Sequence, residues 1–252
     1  RAFRAGLEDK VRNNFRFLLY LLGCRLLNRQ SRTRAFQVGE RHYDIGNNVF
    51  ESMLDPYMNY SCGYWDSAGN LEQAQIAKMR MICAKLKLEP GMQVLDLGCG
   101  WGGLSRWMAE RHGVDVTGVT VSKEQAQLAR ERCVGLPVTI EVRDYRELEG
   151  EFDRIVSVGM FEHVGQRNYR TFFQKTCSLL KSEGLFLLHT IGASRGGFAT
   201  DRWIEKYIFP NGVLPPAQTL AERASAFFTI EDWHNFGADY DPTLMAWHKK
   251  FN

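Results

Sequence analysis

Between residues 92 and 191, short apolar runs alternate with stretches whose apolar positions recur every three or four residues. The first pattern marks buried strands and the second marks helices packed on them. The runs predict strands at 92–97, 114–120, 137–143, 153–158 and 185–191, and helices at 102–112, 123–133 and 167–181, with Ser122 as a helix cap. Ahead of them, Leu71, Ala74, Ile76, Ala77, Met79, Ile82, Cys83 and Leu86 predict a helix within 70–88, closed by Pro90-Gly91. Strand–helix alternation of this kind implies an α/β fold, a doubly wound, mostly parallel sheet with right-handed crossovers. Residues 9–30 read as helical, and 39–65 are dense in aromatics, Gly and Asn with little period. Residues 193–226 interrupt the alternation with Gly196-Gly197, Pro210-Asn211-Gly212, Pro215-Pro216 and a helix near 217–225. They read as an insertion covering the mouth of a site. Strand character returns near 227–232 and 236–240, and 245–251 reads as an unfinished amphipathic helix.

In an open parallel sheet, ligands bind beyond the carboxyl ends of the strands. The first strand delivers Asp96, Gly98 and Gly100 there, in Val94-Leu95-Asp96-Leu97-Gly98-Cys99-Gly100-Trp101-Gly102-Gly103. A strand running through an acidic residue into a glycine turn offers a backbone cradle for a nucleotide-like ligand, a Rossmann-like arrangement. The spacing differs from the dinucleotide pattern G-x-G-x-x-G. An acidic residue just before the first glycine can reach an amine or a sugar, which points to S-adenosylmethionine, a ligand without a pyrophosphate. The other strands deliver Thr120 with Gln125 just after, then Asp144 and Tyr145, then Glu162 and His163, then His189 and Ile191. Asp144 is placed to accept from an adenine amino group, and Tyr145 to pack beside the base. The second strand lacks the acidic residue that commonly binds ribose. His189 reads either as a core histidine satisfied by a carbonyl or, with Glu162 at the same edge, as part of a site.

The 252 residues carry a net charge of only +3, so bulk electrostatics give no reason to expect a nucleic-acid partner. Basic residues concentrate in 1–42, around Phe15-Arg16-Phe17-Leu18-Leu19-Tyr20-Leu21-Leu22. That run is too short to span a bilayer. It reads either as an amphipathic helix on an anionic membrane surface or as a helix docked on the domain. The chain divides into a basic helical segment, 1–38, and a catalytic domain, 39–252, and reads as trimmed at both ends. None of the six cysteines has zinc-site spacing, and no signal-peptide pattern is seen, so a reduced, cytoplasmic setting is expected and no metal.

The segments Tyr60-Ser61-Cys62-Gly63-Tyr64-Trp65, Asp96 to Gly103, Gly118-Val119-Thr120-Val121-Ser122, Gly159-Met160-Phe161-Glu162-His163-Val164-Gly165, His189-Thr190-Ile191-Gly192 and Tyr207-Ile208-Phe209-Pro210-Asn211-Gly212 together resemble the bacterial cyclopropane-fatty-acyl-phospholipid synthases. The resemblance runs from about Tyr43 to Asn252 and extends to the mycolic-acid cyclopropane synthases. It implies a class I methyltransferase fold and the formation of a cyclopropane ring at a cis double bond of a phospholipid acyl chain. It implies a bicarbonate ion as base, held by Cys62, Glu162, His189, the backbone of Ile191, and Tyr240. Contacts to S-adenosylmethionine are implied at Tyr60, Ser61, Gly98, Gly100, Thr120, Gln125, Asp144 and Tyr145, beside Asp96 from the glycine loop. Peripheral contact with the inner face of the cell membrane, and a homodimer in the full-length protein, are also implied.

The chemistry is coherent. An alkene is a weak nucleophile facing a strong methyl donor, so alignment is the main task. Methyl transfer leaves a carbocation that aromatic faces can stabilise and that water must not reach. A base then takes a proton so that the ring can close. A covalent role for Cys62 is unnecessary, since the donor is already activated. Two other readings stay open at this stage. One is a methyltransferase acting on another lipid, a sterol or an amine without ring closure. The other is a non-catalytic lipid- or cofactor-binding module.

Overall fold

The computed structural model describes residues 46–193 and 212–251. Its centre is a five-stranded, all-parallel sheet in the order β3-β2-β1-β4-β5. The strands are β1 (Gln93–Leu97), β2 (Asp115–Thr120), β3 (Val138–Val142), β4 (Phe152–Val158) and β5 (Leu180–His189). The order reverses direction between β1 and β4, so a crevice opens above their carboxyl ends. The described α-helices are α1 (Asn47–Met53), α2 (Leu71–Lys85), α3 (Gly103–His112), α4 (Lys123–Arg132), α5 (Tyr169–Leu179), α6 (Ala217–Ala224) and α7 (Tyr240–Phe251).

Three helix starts have a local cause. The Asn70 side chain accepts from Gln73 N at 2.9 Å and caps α2. Ser122 accepts from Gln125 N at 3.2 Å and caps α4, as its position predicts. Pro242 lies in the first turn of α7, where a missing N–H costs no helical hydrogen bond.

The sheet is buried on both faces. On one, Met79, Ile82 and Leu86 from the α2 segment and Leu104, Trp107 and Met108 from α3 pack on Val94, Val116 and Val156. On the other, Phe172, Phe173 and Leu179 from α5 pack on Leu95, Leu97 and Ile155 with Phe161 and Tyr169. A third cluster joins Phe50 and Leu54 to Trp101 and Trp247, tying α1 and α7 to the glycine loop.

Two expectations need correction. Residues 227–232 and 236–240 do not form strands. Their alternating aromatics pack singly: Phe228 lies against Phe173 and Phe186, and Phe236 against His189 and Tyr64. Gly237 N then donates to Asn235 Oδ1 at 2.9 Å, turning the chain into a short 3-10 segment, Gly237–Asp239, that leads into α7. The other correction concerns β5, which begins at Leu180 through an irregular step opposite Phe152 and Arg154 and ends its pairing at His189. Gly184 therefore lies inside the strand rather than before it, and α5 stops at Leu179. The predicted basic helix at 9–30 lies outside the described residues, as does most of the insertion. Of the latter, Ala193 bridges Pro216, Val213 N donates to Glu162 O at 2.8 Å, and the predicted helix is α6.

Candidate active site

The crevice is a cavity of about 200 Å³, lined by all nine residues expected to meet the cofactor: Tyr60, Ser61, Asp96, Gly98, Gly100, Thr120, Gln125, Asp144 and Tyr145. Its floor is the glycine turn. Gly98 has φ 85°, and a Cβ there would lie 2.7 Å from Met160 Cβ. Gly100 has φ 55°, and a Cβ there would meet no protein atom within 4 Å. The first glycine is thus needed for backbone conformation and packing, whereas the second keeps open space above the turn.

Polar groups around the cavity are held in place. Asp96 is fully buried, its Oδ2 accepting from Ser105 Oγ at 2.7 Å, and burial pushes its carboxyl up to about 6. Thr120 Oγ1 donates to Gln125 Oε1 at 2.9 Å, tying the end of β2 to the first turn of α4. Asp144 is also buried. Its Oδ1 accepts from Arg146 Nε at 2.7 Å and its Oδ2 from Arg146 Nη2 at 2.6 Å. The carboxylate expected to face adenine is therefore clamped by an arginine that also lines the cavity.

At the ends of β4 and β5 lie Glu162, His189 and Ile191, with Tyr240 and Cys62 near Glu162. Glu162 is 7% exposed, and burial raises its carboxyl above the usual range. Its Oε1 accepts from Ile191 N at 2.7 Å, and Thr190 hydrogen-bonds the same carboxylate. The N–H expected to hold an anion is thus engaged by Glu162. Tyr240 hydrogen-bonds the backbone of Cys62, and burial together with the charges of Glu162, Cys62 and Tyr60 raises its phenol. Cys62 is buried, its thiol pushed up to about 11 by desolvation, which keeps it a neutral donor rather than a nucleophile. Burial, helped by the charge of Lys78, pulls His189 down to about 3, so the ring is neutral at ordinary pH. Two buried atoms at these strand ends, Glu162 Oε2 and His189 Nδ1, have no hydrogen-bond partner among the described residues.

The mycolic acid cyclopropane synthetase family model matches residues 30–252. The chain belongs to that family. It is 57% identical over 251 residues to the cyclopropane-fatty-acyl-phospholipid synthase of Escherichia coli K12, covering 100% of this chain and 66% of that protein. The chain therefore spans slightly less than two thirds of this relative's length. Among solved structures, it resembles the cyclopropane synthase MmaA2 of Mycobacterium tuberculosis, with TM-score 0.79 and 32% identity. It also resembles the mycolic acid cyclopropane synthase CmaA1 in complex with SAH and CTAB, with TM-score 0.80 and 34% identity. Each likeness covers 85% of this chain and 82% of the other. The fold is that of the class I methyltransferases, as the resemblance implies.

Sequence reasoning about this family member passed over three residues. Lys78 and Gln75 are fully buried on α2 and both grip Ser61, through Lys78 Nζ to Ser61 Oγ at 2.6 Å and Gln75 Nε2 to Ser61 O at 2.8 Å. Their signal was available. Leu71, Ala74, Gln75, Lys78 and Ile82 share one face at helical spacing, so two polar residues stand on an apolar stripe. Thr243 on α7 was also missed. Its hydroxyl accepts from Gly63 N at 3.1 Å and Trp65 Nε1 at 2.8 Å and donates to Asp239 O at 2.7 Å, anchoring the segment that carries Cys62. No local pattern marks that contact, which joins residues about 180 positions apart.

Proposed function

We propose that this chain is the catalytic part of an enzyme that forms a cyclopropane ring across the cis double bond of an unsaturated phospholipid acyl chain. The cavity residues fit S-adenosylmethionine: a glycine turn without side chains, buried Asp96 for the amine and Asp144 with Tyr145 for the base. When bound there, S-adenosylmethionine supplies an electrophilic methyl group.

The observation that carries the ring-forming reading is the pair of orphaned buried atoms, Glu162 Oε2 and His189 Nδ1, at the ends of β4 and β5. A bicarbonate ion bound beside them would serve as the base. Neutral His189, the Cys62 thiol and the Tyr240 hydroxyl are all hydrogen-bond donors to an anion. Glu162, raised by burial, is suited to accept a proton onward and to orient the network through Ile191 N–H. Phe236 stacks on His189 at 5.3 Å and meets Tyr64 edge-on at 5.6 Å. Aromatic rings near the reacting chain would favour a cation there, and these are the ones nearest His189 among the described ring contacts. The substrate is a lipid at a membrane surface, reached by peripheral contact; no helix among the described residues is long and apolar enough to cross a membrane.

Incubation with vesicles of a cis-unsaturated phospholipid and S-adenosylmethionine tests this reading. Proton NMR of the recovered acyl chains should show cyclopropane methylene signals. A methyl-branched or unchanged acyl chain would refute it.

A further inference from the structure

His189 is fixed at its backbone, whereas its ring depends on packing. It closes the pairing of β5 opposite Val158, and its carbonyl accepts from Gly159 N at 3.0 Å. The imidazole Nδ1 has no hydrogen-bond partner among the described residues. Without such a bond an imidazole turns easily about its last torsion, whose wells are broad. Against one face of the ring lies Phe236, with centroids 5.3 Å apart and planes 28° from parallel. That separation is within the range aromatic pairs favour.

Phe236 is itself braced. Tyr64 meets it at 5.6 Å and 82°, His234 at 5.4 Å and 61°, and Tyr64 meets His234 at 5.5 Å and 80°. These rings touch pairwise, so each limits the rotation of the others. The backbone beneath is held as well. The Phe236 carbonyl accepts from Asp239 N at 3.0 Å, and Asp239 Oδ2 accepts from Trp65 N at 2.7 Å. The bracket therefore joins the segment that carries Cys62 and Tyr64 to the one that leads into Tyr240. A neutral imidazole has a single N–H, and its hydrogen bond weakens steeply once the donor angle falls below about 120°. Turning the ring would spoil that donor without changing its charge. We infer that Phe236 is a positioning residue, which holds the plane of the His189 ring so that its N–H points at the bound anion. This rests on the proposed role of His189 as a donor to the base.

Steady-state turnover on vesicles of a cis-unsaturated phospholipid, with 13C relaxation at the His189 ring, tests the inference. F236L keeps apolar bulk but has no plane. It should lower kcat about five- to tenfold and leave KM for the vesicles and S-adenosylhomocysteine affinity within about twofold. F236Y keeps the plane and should restore kcat to within about twofold of the unaltered chain. In an H189Q background F236L should cost less than about twofold, because the ring it acts through is gone. The order parameter of the His189 ring should fall from about 0.85 to below about 0.6 in F236L. F236M, also without a plane, decides the matter if F236L does not fold. Unchanged kcat would overturn the inference, and a raised KM beside it would place Phe236 against the acyl chain instead. An equal loss in the H189Q background, or a His189 ring as rigid in F236L as in the unaltered chain, would also overturn it. If the unaltered chain forms no cyclopropane, the functional reading fails, and the relaxation measurement alone still decides whether Phe236 holds the ring.

Discussion

The backbone N–H of Ile191 donates to Glu162 Oε1 at 2.7 Å, joining the residue just beyond β5 to the loop beyond β4. Glu162 also fixes the returning chain, since its carbonyl accepts from Val213 N at 2.8 Å. One side chain thus has one oxygen spent on architecture and the other, Oε2, left without a partner among the described residues. That division gives Glu162→Gln a specific outcome. The amide oxygen can still accept from Ile191, so the fold and S-adenosylhomocysteine affinity should persist. The proton acceptor is lost, so turnover should fall by about a hundredfold or more. Calorimetry and turnover on the same preparation check both halves.

Gly98 and Gly100 are expected to respond differently to alanine. Gly98→Ala drives a Cβ into Met160 and should destabilise the fold as well as abolish binding. Gly100→Ala meets no protein atom, so it should cost only the roughly 1–2 kcal/mol of a left-handed backbone. Its methyl group enters the space above the turn, and cofactor affinity should fall at least about tenfold. Denaturant unfolding and ligand titration of the two variants separate these effects.

Thr243→Val keeps the shape of the side chain but removes its hydroxyl. It leaves Gly63 N and Trp65 Nε1 without their acceptor in the interior. A loss of about 2–4 kcal/mol is expected from two unsatisfied donors. The Cys62 segment should loosen first, visible as faster amide exchange at 61–65 than in the sheet.

His189 predicts a pH effect. Its folded value is pulled from 6.5 to about 3, so between those values the unfolded chain binds a proton that the native chain does not. The native state therefore loses stability from this residue as pH falls from about 6.5 towards 3, and nothing from it above that window. In His189→Gln that contribution is absent. The stability difference between the two proteins should shift in favour of the variant as the solution is acidified, measured by denaturant unfolding across that range.

The sheet was readable because β1 to β4 carry valine, leucine and isoleucine in short stretches between helical segments, and its carboxyl edge then follows from connectivity alone. Asp96, Thr120, Asp144 and Glu162 were legible for the same reason. The 227–240 stretch misled because aromatics at near-alternate positions imitate a strand, whereas here each ring fills a separate gap against α5, β5 or Tyr64. Lys78 was hidden by habit rather than by physics. A lysine on an apolar helix stripe invites the assumption that it snorkels to solvent, and only the packing shows that it is enclosed.

Ring closure requires the transferred methyl to lose one hydrogen to a base, which simple methylation does not. S-adenosylmethionine bearing a fully deuterated methyl group, supplied with cis-unsaturated phospholipid vesicles, tests this directly by mass spectrometry of the acyl chains. The account predicts products retaining two of the three deuterons per modified chain. Products retaining all three would contradict it.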